Sequence, residues 1–147
     1  VRILLKQGRQ AEAIDAVREA MALKAPGPAD YFRLAKMLVM ADRTDEAIQQ
    51  FLECLKLAPN NHATLFNLGG LYRRTGRPAD AITYLRRAVT TSPEDADTYI
   101  ELGLAYAGEG NVTEAIASFR RAAVLAPGNP IPEMYLNQLL EKPGTSR

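Results

Sequence analysis

The chain has 147 residues, 47% hydrophobic and 24% charged, with 18 Lys and Arg against 17 Asp and Glu, for a net charge of +1. That balance supplies no general attraction for nucleic acid or an anionic membrane. A single cysteine excludes an internal disulfide, and no apolar run approaches the roughly 18 residues that would cross a bilayer.

Along the chain, the triplet Glu12-Ala13-Ile14 returns as Glu46-Ala47-Ile48, Asp80-Ala81-Ile82 and Glu114-Ala115-Ile116, each copy 34 residues after the last. A fixed period between about 20 and 50 residues marks a stack of one supersecondary unit. The first copy, residues 1–27, is partial. It opens without Met and inside a helix, with Ile3, Leu4 and Leu5 ahead of Gly8, as expected of a piece of a longer protein. Those three apolar residues predict self-association through the N-terminal end.

Three full units follow, at 28–61, 62–95 and 96–129. In their first halves large residues recur at Tyr31, Leu65 and Tyr99, then Leu34, Leu68 and Leu102, then Leu38, Tyr72 and Tyr106, with Ala35, Gly69 and Gly103 as small partners. In the second halves Phe51, Leu85 and Phe119 recur after Val17, each followed by small Ala20, Cys54, Ala88 or Ala122. The apolar spacing within a unit is i, i+3, i+4, i+7, one face of a helix. Each unit therefore holds two helices, A and B. Gly8, Asp42, Gly76 and Gly110 share the bend after helix A, where positive φ is tolerated, and Pro59, Pro93 and Pro127 stop helix B. Short connections make A and B antiparallel. Residues 130–142 form a terminal helix, capped by polar Glu133 and Asn137 in apolar places, and 143–147 are expected to be a disordered tail.

The third unit reads Leu65, Leu68-Gly69, Tyr72, Ala81, Leu85, Pro93, and the fourth Tyr99, Leu102-Gly103, Tyr106, Ala115, Phe119, Pro127. This resembles the tetratricopeptide repeat, with its W-x2-L-G-x2-Y, A-x3-F and late-Pro pattern. Tyr or Leu replaces the first Trp, and the second unit carries Ala35 and Leu38 in the Gly and Tyr places. The resemblance implies an all-α, right-handed superhelical solenoid of antiparallel helix pairs whose A helices line a concave groove for a partner peptide or helix. The groove residues it implies are Phe32, Arg33, Lys36, Met40, Phe66, Asn67, Arg73, Arg74, Asp97, Ile100, Glu101, Leu104, Met134 and Tyr135. The row Phe32, Phe66, Ile100, Met134 serves equally to pack neighbouring A helices.

Basic Arg33, Lys36, Arg73 and Arg74 precede acidic Asp97 and Glu101, so the partner is expected to carry acids toward the N-terminal half and bases toward the other. Chaperone-binding relatives clamp a carboxylate with Lys, Asn and Arg. Those places here hold Phe32, Lys36, Asn67, Asp97 and Glu101, and only Asn67 matches, so chaperone tails are not the expected ligand. The asparagine ladder of the O-linked N-acetylglucosamine transferases is likewise reduced to Asn67.

No residue pattern carries chemistry. His62 is the sole histidine, without Cys, Asp or Glu at metal-ligand spacing, and no Gly-rich phosphate loop, HExxH or CxxC occurs. Neither metal nor cofactor is expected. Cys54 reads as a small buried residue, Asn111 as a helix cap rather than a glycan acceptor, and Arg86-Arg87 with Arg120-Arg121 as solvated B-helix surface. The expected function is a non-catalytic scaffold binding protein or peptide, without nucleic acid or membrane insertion. The alternative is a substrate-recruiting segment of a larger bacterial glycosyltransferase- or sulfotransferase-type enzyme. Thirteen Arg against five Lys suit a GC-rich bacterial genome. The residues fix no compartment, cytoplasmic and periplasmic both being compatible.

Overall fold

A computed structural model describes residues 2–141. It contains α1 (Arg2–Leu23), α2 (Pro28–Met40), α3 (Thr44–Leu57), α4 (His62–Arg74), α5 (Pro78–Thr91), α6 (Ala96–Gly108), α7 (Val112–Leu125) and α8 (Ile131–Leu140). Among the described residues no strand occurs, and the fold is an all-α helical repeat. The expected tail at 143–147 lies outside them.

The A-to-B bends are built identically. Asp42, Gly76 and Gly110 have φ of 58°, 79° and 79°, the left-handed region. In each bend the next residue's N–H reaches back to a carbonyl of helix A: Arg43 to Leu38, Arg77 to Tyr72 and Asn111 to Tyr106, all at 2.9 Å. The left-handed residues themselves donate to Val39, Arg73 and Ala107. This paired closure satisfies carbonyls that the helix end would leave unbonded. Glycine enters it without steric cost, and Asp is among the few other residues that tolerate it.

Side-chain caps start α4, α6 and α8, again 34 residues apart, whereas Gly27 before α2 supplies none. Asn61 Oδ1 accepts from the Thr64 N–H and hydroxyl at 3.0 Å each, Asp95 from the Asp97 N–H and the Thr98 hydroxyl, and Asn129 from the Ile131 N–H. Thr64 and Thr98 are fully buried, so these bonds satisfy hydroxyls that would otherwise be costly to desolvate. Among the B helices, Asn111 caps α7 by accepting from the Glu114 N–H, as its sequence position predicts. Arg43 and Arg77 hold the same place without a cap bond and instead pair with Glu46 and Asp80 in the first turn.

Glu46 also receives Arg18 of α1 at 2.6 Å. Hydrogen bonds from Arg43 and then Arg18 hold its carboxyl down from 4.5 to about 2. Because the folded value lies below the ordinary one, the stabilisation is present above pH 4.5 and is lost as pH falls toward 2. Titration of the Glu46 side-chain carboxyl by carbon NMR is therefore expected to show a midpoint near 2. An ordinary carboxylate midpoint would show that neither arginine holds it.

The chain divides into two compact units at Thr64 and Leu65. In the first, α2 packs antiparallel to α3 around fully buried Leu38, Ala47, Phe51 and Cys54, with the Cys54 sulfur 3.2 Å from the Thr64 hydroxyl and 3.3 Å from the Pro28 carbonyl. In the second, Gly69 of α4 lies against Leu85 of α5, and Gly103 of α6 against the Phe119 ring. Phe119 centres a cluster with Ile100, Ala115, Ala122 and Leu139. Small residues on helix A thus seat large residues of helix B. Glu133 and Asn137 of α8 are exposed.

The first copy departs from the expected hairpin. Gly8 lies inside α1, with open space around it. The few residues before it make less than two turns, and unbroken intrahelical bonding outweighs a bend with so short an arm. No A helix then covers Ala13, which is exposed, while Ala47, Ala81 and Ala115 are fully buried. Ile14 takes the buried seat instead. Ile3 is exposed, and the side chains of Leu4 and Leu5 fall outside the described residues.

Candidate partner-binding surface on the A helices

In the first unit, α2 carries Phe32, Arg33, Lys36 and Met40. Phe32 is half-buried, its ring meeting Phe51 edge-on at 5.8 Å between centroids, while Arg33, Lys36 and Met40 are exposed. Phe32, Arg33 and Lys36 join Pro28, Ala29, Asn61 and Ala63 around an open cleft of about 760 Å³. Three of the sequence-selected residues therefore share one concavity. Asn61 and Ala63, absent from that selection, complete its wall. The signal for Asn61 was present in the 34-residue row Asn61, Asp95, Asn129. Met40 lies elsewhere, in a smaller apolar cleft with Gln10, Ala13 and Met37.

In the second unit the selected residues divide by role. Ile100 is interior, and Leu104 and Tyr135 pack against its cluster, Tyr135 stacking on Phe119 with centroids 5.1 Å apart. Apolar side chains on helices this close find one another before solvent. Phe66 and Asn67 are half-buried, whereas Arg74, Asp97 and Met134 are exposed. Arg73 and Glu101 form an ion pair at 2.7 Å, about three-quarters buried on each side. Gly70 faces Glu101 across an ordinary contact, 3.7 Å from where a Cβ would stand, and so leaves the carboxylate room to reach Arg73. The basic and acidic surfaces expected from sequence thus partly neutralise each other here.

Nearby, Tyr72 stacks on Tyr84 at 5.6 Å and lies under the Arg77 guanidinium at 4.6 Å. Burial pushes its phenol pKa up, so it stays protonated at any ordinary pH. His62 is half-buried at the start of α4. Among the described residues no group of three or more His, Cys, Asp or Glu is placed to hold a metal ion, and no helix is long and apolar enough to cross a membrane.

Antiparallel helix pairs with left-handed bends every 34 residues define a helical-repeat protein. Two family models, both described as tetratricopeptide repeat, match residues 29–94 and 66–130. The chain belongs to the tetratricopeptide repeat family. Among solved structures, MamA from Desulfovibrio magneticus RS-1 superposes with a TM-score of 0.84 at 24% identity, over 94% of this chain and 78% of that one. YrrB, described as a tetratricopeptide protein with an unusual peptide-binding site, gives 0.79 at 18% identity, over 91% and 69%. The first tetratricopeptide domain of Spaghetti (RPAP3), bound to an HSP90 peptide, gives 0.75 at 19% identity, over 80% and 94%. No curated sequence matches.

Proposed function

We propose that the chain is a non-catalytic protein-interaction module that binds a peptide or helix of a partner on the exposed faces of its A helices. The observation that carries this is the cleft on α2 and the start of α4, where a half-buried aromatic side chain lies beside exposed cations. Such a surface combines an apolar seat with charges that fix register. The peptide sites named for YrrB and for the RPAP3 domain show that a similar fold serves this purpose. The reading as a recruiting segment of an enzyme has no observation in its favour and is not carried further.

Selection from a random-peptide display library tests it. Enriched peptides are expected to bind the chain with dissociation constants of about 1–100 μM, on the order of −8 to −5 kcal/mol. Substitutions at Phe32 and Arg33 or at Phe66 and Arg74 should weaken them, and substitutions at Arg86 and Arg120 on the B helices should not. Failure to enrich any sequence, or loss confined to the B-helix variants, would overturn the assignment.

A further inference from the structure

We propose that the cleft of the first unit takes an acidic peptide segment, with one apolar side chain seated against Phe32 and flanking carboxylates reaching Arg33 and Lys36. This rests on reading the A helices as a peptide-binding surface. It names the partner's chemistry at one place on that surface.

Size and lining select the anchor. At about 760 Å³ the cleft lies within the range of roughly 300–1,000 Å³ typical of ligand sites, enough for a side chain with adjoining backbone. Pro28, Ala29, Ala63 and the Phe32 ring present apolar surface, and the Asn61 carbonyl oxygen is engaged in capping Thr64. Seating an apolar group there removes mainly apolar surface from water.

Charge selects what flanks it. The two charged residues on the rim, Arg33 and Lys36, are both cations, and Arg33 makes no ion pair among the described residues. The first turns of α2 and α4 both border the cleft, so the positive ends of two helix dipoles meet there. The first turn of α4 contains no acid. That of α2 contains Asp30, but its carboxylate accepts the Gly27 N–H at 2.9 Å and borders a separate, smaller cleft with Lys24 and Arg33. A basic segment would therefore meet like charge, and an acidic one would be steered in.

Peptides enriched from the random library on the native chain are expected to be acidic around a single apolar anchor and to bind more weakly as salt rises. The double variant Arg33→Glu with Lys36→Glu, changed only at exposed positions, should keep its helical circular dichroism and lose at least about tenfold in affinity for them. Selection on that variant should enrich basic sequences instead. Peptides that need Phe66 or Arg74 yet carry no acidic bias, or that ignore the double charge reversal, would overturn this inference and leave the proposed function standing. Absence of any enriched peptide would overturn both. Concentration-dependent self-association abolished by the charge reversal would identify a second copy as the occupant and overturn it as well.

Discussion

Phe119→Ala is expected to lower the free energy of unfolding by about 3–5 kcal/mol, the range for truncating a fully enclosed aromatic side chain. The ring is 1% exposed, fills the space left by Gly103, stacks on Tyr135 and touches a cluster drawn from α6, α7 and α8. Its removal loses transfer free energy and leaves a cavity that three helices border, none of which can close alone. Equilibrium unfolding in urea measures the loss. A change below about 1 kcal/mol would mean that the small-to-large seating of helix A on helix B is not what holds the second unit together.

Adjacent glycines in α4 should respond with opposite sign to the same substitution. A Cβ at Gly69 would stand 2.5 Å from Leu85 Cγ and 2.7 Å from its Cδ2, and Leu85, fully buried, has nowhere to retreat. Overpacking of this kind costs about 1–3 kcal/mol, which is set against the roughly 1 kcal/mol that alanine gains over glycine inside a helix. Gly69→Ala should therefore destabilise by up to about 2 kcal/mol. At Gly70 the nearest atom is the Glu101 carboxylate at 3.7 Å, an ordinary contact, so Gly70→Ala keeps the helical gain and should stabilise by about 0.5–1 kcal/mol. Thermal unfolding of both variants settles the pair, and equal shifts would contradict the packing described for α4 and α5.

The periodic marks made most of the architecture legible before any coordinates. Residues 34 apart at Asp42, Gly76 and Gly110 foretold the bends because only a few residue types accept left-handed φ. Ala47, Ala81 and Ala115, small and apolar at one fixed place, foretold buried seats, and each is fully buried. Gly8 was misleading: a glycine permits a bend without requiring one, and its surroundings in α1 supply no arm to fold back.

The surface was less legible, since equal periodic places serve unequal ends. Phe32 borders a cleft, whereas Ile100, two repeats later in the same row, is interior. Arg73 and Glu101 are 28 residues apart, a spacing the 34-residue period does not single out, so their pairing depends on how α4 and α6 lie together. The cap row Asn61, Asp95, Asn129 could have been found by the same period that revealed the core.

Amide chemical-shift mapping locates the bound peptide residue by residue. With the nitrogen-labelled chain titrated by a selected peptide, the largest shifts are expected at Ala29, Phe32, Arg33, Lys36 and Ala63, the residues around the cleft. Shifts concentrated instead at Arg86, Arg87, Arg120 and Arg121 on the B helices would contradict that expectation.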